Sequence, residues 1–496
     1  MGQPNVLLVI ADQHLATCTG YEGHPQALTP NLDRLAREGA RFTGAYTQNP
    51  ICTPSRVSLL SGQYCHNHGY YGLGGSSPDW LPNFLRHFRA HGYRTALIGK
   101  LHLPKDPDHW AKADCDWFRE AMRPDYPGHP YFDHLRAQGL GGRSDHERLP
   151  EFPGDQQFEG RPSWLPYEHS VEGWSVREAM RFMDDAGDRP FCMEVSLFRP
   201  HQCYTPARQF WDMYPDDLAL PPTLNQDPAH RPPHFREAFA GYRQLSPLIE
   251  PKTFDALARR IWRGYLASIT HCDYALGELL AYLDRTGKAV NTLVIYTADH
   301  GAYSGTHGLA EKAPGICSEA VCRVPLLWRG PGVARGHVVR PFGELVDLGP
   351  TAASACGLPA MDWVDGRDLT GLLRGGDQPV REVAVTENPW SKSLRWQQWR
   401  YVHYQQEMFG GEDVGELYDI VADPNETRNL YADPAHQPVV QECRRRLLNW
   451  LIQTTRFVNA WVPPFWPKLD QNAGGDSKEA NTPGIPGRFN TNINYI

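Results

Sequence analysis

The sequence predicts an α/β fold: a large mixed, mostly parallel sheet flanked by helices, followed by a smaller α+β domain. Three observations lead there. Short apolar runs at residues 5–11, 94–99, 191–198 and 292–297 each stop just before polar, reactive-looking residues, as parallel strands do when their C-terminal ends face a ligand site. Segments with helical spacing of apolar residues alternate with these runs. After Gly375 the chain changes to short strand-like segments joined by turns and closes with one amphipathic helix.

Residues 5–11 read as a buried first strand. Thr29 can cap a helix whose first turn accepts Pro30, and Gly39 suits its end. Residues 173–185 and 261–285 carry helical spacing. The stretch 104–166 is rich in Pro, Gly, Asp and aromatics without a clear period. Loops of that length in a compact enzyme are usually functional, so it is expected to wall the active site. Residues 382–387, 399–404 and 416–420 read as strands, and 437–454 as a helix. The expected division is a catalytic unit over 1–375, a small α+β domain over 376–465 and a polar tail over 466–496, too rich in Gly, Asn and Pro to form a core alone. That tail is either loose or an arm held by another subunit of a homo-oligomer.

A chain of 496 residues can bury a large core. No apolar run approaches the roughly 18 to 20 residues of a membrane span. The formal charge of −8 argues against a broad nucleic-acid surface, which needs clustered Lys and Arg. The N-terminus lacks a basic region before its short apolar run, which ends in Asp12, so a cytoplasmic protein is expected. Eleven cysteines without paired spacing indicate neither a disulfide framework nor a structural zinc site.

Asp12 and Gln13 follow the first strand, and Asp299 and His300 follow the run at 292–297. Two acids, an amide and an imidazole at neighbouring strand ends can hold a divalent cation. Taken singly, such an Asp is more often a helix cap or a turn residue, and spacing does not decide between the two.

Cys52-Thr53-Pro54-Ser55-Arg56, followed by an apolar run and Ser61-Gly62, resembles the signature of type I sulfatases, of the alkaline phosphatase superfamily. A Cys-x-Pro alone would suggest only a buried cysteine before a helix. The resemblance extends in order through Gly99-Lys100-Leu101-His102, Arg199-Pro200-His201, Asp299-His300-Gly301 and His307-Gly308-Leu309-Ala310-Glu311-Lys312. It continues in Asp347-Leu348-Gly349-Pro350-Thr351, Asp365-Gly366-Arg367 and Glu416-Leu417-Tyr418-Asp419. It implies an alkaline-phosphatase-like fold and hydrolysis of a small-molecule or carbohydrate sulfate ester, releasing inorganic sulfate and an alcohol.

The resemblance further implies that a formylglycine-generating enzyme oxidises Cys52 to formylglycine. The hydrated aldehyde offers one hydroxyl for attack and a second whose deprotonation releases sulfate, whereas a thiolate attacks sulfate esters poorly. Asp12, Gln13, Asp299, His300 and the modified Cys52 would bind one metal, calcium first on family grounds and manganese next. Arg56 would steady the hydrate. Lys100 and Lys312 would hold sulfate oxygens, His201 with Lys312 would protonate the departing alcohol, and His102 would take the proton that frees sulfate.

Two positions depart from the family. Gln13 stands where many sulfatases have a second Asp, and His300 where many have Asn. Both resemble the phosphonate monoester hydrolase branch, so phosphonate or phosphodiester cleavage is the nearest rival, with an inert binding protein the alternative if Cys52 stays unmodified. Trp80, His109, Trp110 and Tyr204 are candidate substrate contacts.

Overall fold

Residues Val6 to Ala11 are all buried, and they split by parity between two cores. Leu7 and Val9 face one cluster and Val6, Leu8 and Ile10 the other, because successive side chains of a strand point to opposite faces. A run apolar at every position therefore becomes a strand covered on both sides. The computed structural model describes residues 2–73, 81–103, 111–121, 129–141, 160–244, 253–312 and 316–456.

The main sheet contains β1 (Asn5–Ala11), β2 (Ala40–Phe42), β3 (Arg94–Gly99), β4 (Trp117–Glu120), β5 (Phe191–Leu197), β6 (Thr292–Ala298), β7 (Leu326–Arg329) and β8 (His337–Val339). Their spatial order is β8-β2-β7-β6-β1-β5-β3-β4. Only β7 runs antiparallel to its neighbours. The helices include α1 (Pro30–Glu38), α2 (Cys52–Ser61), α3 (Val171–Ala186), α4 (Phe254–Arg285) and α5 (Gln437–Thr454). One face of the sheet packs on Leu32 and Leu35 of α1, Phe182 and Met183 of α3, and Leu276 and Leu280 of α4. The other packs on Val57, Leu59 and Leu60 of α2 and on Phe84 and Phe88. Among the described residues no helix is long and apolar enough to cross a membrane.

A second sheet is an antiparallel meander of β9 (Val383–Glu387), β10 (Ser391–Trp396), β11 (Trp399–Tyr404) and β12 (Gly415–Asp419). Val385, Leu394, Tyr401 and Leu417 meet Val440, Cys443, Leu447 and Trp450 of α5, and Tyr64 and Val346 join the same cluster. This sheet is thus packed directly onto the residues that follow α2.

The structure differs from the sequence expectation in three places. The stretch expected as one long wall contains an edge strand, β4, parallel to β3, and the helix Pro130–Ala137. Four residues of Trp-Phe-Arg-Glu are too few to display alternation, and their strand is recruited by the free edge of β3. Helix α4 begins at Phe254 rather than 261, because the Thr253 hydroxyl accepts from Ala256 N at 3.3 Å and caps the first turn, while Arg259 and Arg260 in the next turn obscure the apolar spacing. Strand β10 interleaves Ser, Lys and Arg with its one Leu, and only pairing with β9 and β11 makes it a strand. The tail at 466–496 lies outside the described residues.

Glu387, at the end of β9, is fully buried and joins this sheet to the segment that follows α2. Its carboxylate accepts from His66 Nδ1 at 2.9 Å, Lys392 Nζ at 2.5 Å and Tyr71 OH at 3.2 Å. Burial pushes the carboxyl up, but the hydrogen bond and charge of His66 and the ammonium of Lys392 outweigh it and bring it down to about 2. A depressed carboxyl contributes stability fully above its unfolded value, near ~4.3, and loses it as pH falls through the folded value. The difference corresponds to ~3 kcal/mol. Glu387→Gln should therefore lower the urea midpoint at neutral pH, and the gap from wild type should close between about pH 4 and about pH 2. Denaturation at stepped pH measures both, and a gap independent of pH would refute the assignment.

Candidate active site

Parallel pairing of β1 with β6 sets Ala11 beside Ala298, so the residues after them, Asp12 and Asp299, emerge together at the C-terminal edge. Both carboxylates are inaccessible to solvent. Helix α2 arrives from the side with Cys52 in its first turn. Ser55 Oγ donates to the Asp299 carbonyl at 2.5 Å and Thr53 Oγ1 to the His102 carbonyl at 2.8 Å, tying that turn to the loops after β6 and β3. Lys100 reaches the same point because Gly99, at φ +97°, lets the chain turn against β5. A Cβ there would lie 1.9 Å from the Ser196 carbonyl oxygen.

Arg56 lies one turn into α2 and is buried. Nε donates to Asp299 Oδ2 at 2.8 Å and Nη2 to Asp12 Oδ2 at 3.1 Å, while Nη1 serves the Lys100 carbonyl at 2.8 Å and Ser196 Oγ at 2.7 Å. The guanidinium thus binds the two carboxylates and their strand ends. Lys100 Nζ also pairs with Asp12. Burial and the Cys52 sulfur push the Asp12 carboxyl up, but Lys100, His201 and Arg56 prevail and hold it below the usual range. Burial and Asp12 keep Asp299 raised.

Cys52 Sγ is buried at this edge of the sheet. It lies 3.2 Å from His300 Nε2 and 3.7 Å from Asp12 Oδ1, and His102 reaches it as a further hydrogen-bond partner. Burial raises the thiol, yet Lys312, Lys100 and His300 bring it well below its ordinary value. The site therefore favours negative charge on the atoms of residue 52. His201 Nδ1 lies 2.6 Å from the Gln202 carbonyl, which fixes the proton on that nitrogen and leaves Nε2 facing Lys312 Nζ at 3.5 Å. Burial, then Lys100 and Lys312, lower His201 to about 3, so in the free site its ring is neutral.

The donor set suits a divalent cation. Single ligand atoms of Asp12, Cys52, Asp299 and His300 lie within 4.8 Å of one another. Gln13, held at φ 67°, has both amide atoms buried without a partner, and a cation would satisfy the Oε1 of that pair. His300 Nδ1 sits 2.8 Å from the Gly301 carbonyl, orienting Nε2 toward the site. The structure thus gathers Asp12, Gln13, Cys52, Arg56, Lys100, His102, His201, Asp299, His300 and Lys312 at one edge of the sheet.

Several contributors escaped the sequence reading. Tyr265 OH donates to the Gln13 carbonyl at 2.7 Å and accepts from Leu15 N, bracing the left-handed bend at Gln13. Ser196 orients Arg56. Neither carries a local signal, since each acts on residues remote in sequence. Tyr204, expected as a substrate contact, is interior: its hydroxyl donates to the Ala310 carbonyl at 2.6 Å. Trp80, His109 and Trp110 lie outside the described residues.

Comparison with known proteins adds to this geometry. Residues 4–358 match the family model Sulfatase. The chain belongs to the sulfatase family. It is accordingly a sulfuric ester hydrolase, and residues 305–453 match the model described as N-sulphoglucosamine sulphohydrolase, C-terminal. It is 29% identical over 455 residues to a choline-sulfatase of Rhizobium meliloti (strain 1021), covering 87% of this chain and 83% of that one. Among solved structures, the phosphonate monoester hydrolase SpPMH from Silicibacter pomeroyi superposes with a TM-score of 0.76 at 24% identity, covering 91% of this chain and 96% of that one. BT4656 in complex with D-glucosamine-2-N,6-O-disulfate gives 0.72 at 21% identity, covering 91% and 98%. These two structures share the alkaline-phosphatase-like fold of this sulfatase.

Arg56→Ala should remove the bridge between two buried carboxylates, leaving Asp12 with Lys100 and Asp299 without its guanidinium partner, and destabilise the protein by about 3 to 5 kcal/mol. Urea unfolding of metal-free protein measures this directly, and a loss below about 1 kcal/mol would show that Arg56 is dispensable to the pair.

Proposed function

We propose that this sulfatase hydrolyses the sulfate ester of a small or carbohydrate alcohol, with Cys52 matured to formylglycine by a formylglycine-generating enzyme and one divalent cation held at the β1 and β6 ends. The observation that carries this reading is the ring of Lys100, His102, His201, His300 and Lys312 around the residue 52 side chain, beside two buried carboxylates bridged by Arg56. Asp12, Gln13, Asp299, His300 and residue 52 would hold the cation. Bound cation and formylglycine together would supply an activated oxygen nucleophile and neutralise charge on the sulfate.

The remaining work falls to the chain's own side chains. Lys100 and Lys312 hold sulfate oxygens with fixed positive charge. The Lys312–His201 pair holds one transferable proton and gives it to the bridging oxygen as the S–O bond breaks, so the alcohol leaves neutral. His102, hydrogen-bonded to residue 52, accepts a proton there during release of inorganic sulfate. Helix α2 directs its first backbone N–H groups at the same place, which favours an anion.

Calcium is the first choice for the cation. The neutral amide of Gln13 and the imidazole of His300 move the donor set toward manganese, the second choice. The same two residues favour phosphonate monoester or phosphodiester cleavage as a second reading, to which the likeness to SpPMH lends support.

Protein coexpressed with a formylglycine-generating enzyme should yield a residue 52 peptide whose thiol has become an aldehyde. It should turn over an aryl sulfate faster than the matching aryl phosphonate. Dialysis against a chelator should abolish turnover, and readdition of calcium or manganese should identify the better ion. A phosphonate rate far above the sulfate rate would replace the first reading with the second, and an intact thiol with no bound metal would indicate an inert binding protein.

A further inference from the structure

The loops after β5 and β6 meet as a ladder of side chains. His201 Nε2 lies 3.5 Å from Lys312 Nζ. One residue along each loop, in opposite directions, Gln202 Nε2 donates to a carboxylate oxygen of Glu311. Beyond it, Tyr204 OH donates to the Ala310 carbonyl at 2.6 Å. The Glu311 carbonyl is itself fixed, accepting from Tyr303 N at 3.2 Å. Two rungs of this ladder have no assigned purpose, although the middle one adjoins the pair that carries the transferable proton.

Lysine has a flexible stem and a point-like charge, and ordering it costs rotamer freedom. A proton donor must nonetheless lie within about 2.6 to 3.2 Å of the oxygen it protonates. Lys312 therefore depends on neighbours to aim it. The Gln202 amide is nearly buried, and it ties the residue before Lys312 to the residue after His201. We infer that Gln202 and Glu311 are positioning residues for proton delivery, a rung that keeps the Lys312 ammonium against His201 at the leaving oxygen. The inference rests on the proposed roles of Lys312 and His201. Neither positioning residue touches the ester: as the S–O bond breaks, its electron pair goes to the bridging oxygen and the proton reaches that oxygen from the Lys312–His201 pair.

A positioning role has a readout that general loosening does not share, the dependence on leaving group. A nitrophenolate departs readily without a proton, whereas an alkoxide does not. Turnover of nitrophenyl sulfate and of a simple alkyl sulfate is therefore compared in matured, metal-loaded wild type, Gln202→Ala, Glu311→Ala and the swap Gln202→Glu with Glu311→Gln. Each single variant should lose about 100-fold in kcat on the alkyl ester, at least about tenfold more than on the nitrophenyl ester, with KM little changed. The swap, which rebuilds an amide–carboxylate rung, should recover most of the alkyl rate. Equal losses on both esters overturn the inference, as does a folded swap that recovers nothing. If the single variants fail to fold, the swap decides: wild-type leaving-group dependence supports the rung, and loss confined to the alkyl ester refutes it. A wild type inactive on both esters would count against the proposed function instead.

Discussion

Two carboxylates without solvent access stand side by side at the ends of adjacent parallel strands, and one guanidinium from α2 bridges them. Without Arg56, Asp12 and Asp299 would repel each other in a medium that screens little. With it, the pair is fixed in spacing, and the same side chain grips the Lys100 carbonyl and Ser196, so the ends of β1, β3, β5 and β6 are joined through one residue. The placement of Cys52 follows from this, because Arg56 and Cys52 share the first turns of a buried helix.

Around that anchor the charge is asymmetric in a way that suits a tetrahedral anion. The carboxylates lie at the strand ends, while Lys100, Lys312 and three histidines surround residue 52. A cation between the carboxylates and residue 52 would complete the arrangement and strengthen the preference for negative charge at the reacting centre. Hydrolysis of a charged ester needs this combination: fixed positive charge where charge accumulates, and a proton source on the leaving side.

The second sheet contributes at a distance. His307 Nδ1 lies 3.0 Å from Arg231 Nη2, and Arg231 also donates to Glu416 and Tyr418 of β12. Arg400 of β11 binds Glu426, whose other oxygen lies 3.8 Å from His307 Nε2. The loop that carries Lys312 is therefore fastened at His307 to a buried polar cluster of the meander, besides its contacts to Gln202 and Tyr204. Asn425-Glu426-Thr427, which spells a glycosylation acceptor, forms a turn whose Glu426 is buried in this cluster.

The main strands were legible because strands covered on both faces must be apolar throughout, and the ordered motifs around Cys52 identified nearly every residue that meets at the site. Short edge strands such as β4, and β10 with its Ser, Lys and Arg, were not legible, since their conformation comes from a partner strand rather than from their own pattern. The sequence by itself determined the residue types, their family and the chemistry open to them. Only the tertiary structure decided that Arg56 bridges the two carboxylates, that Tyr204 is interior, and that Gln202 meets Glu311. Those outcomes depend on which atoms pairing in the sheet brings within hydrogen-bonding distance across more than a hundred residues of chain, and no local pattern of residues encodes such a distance.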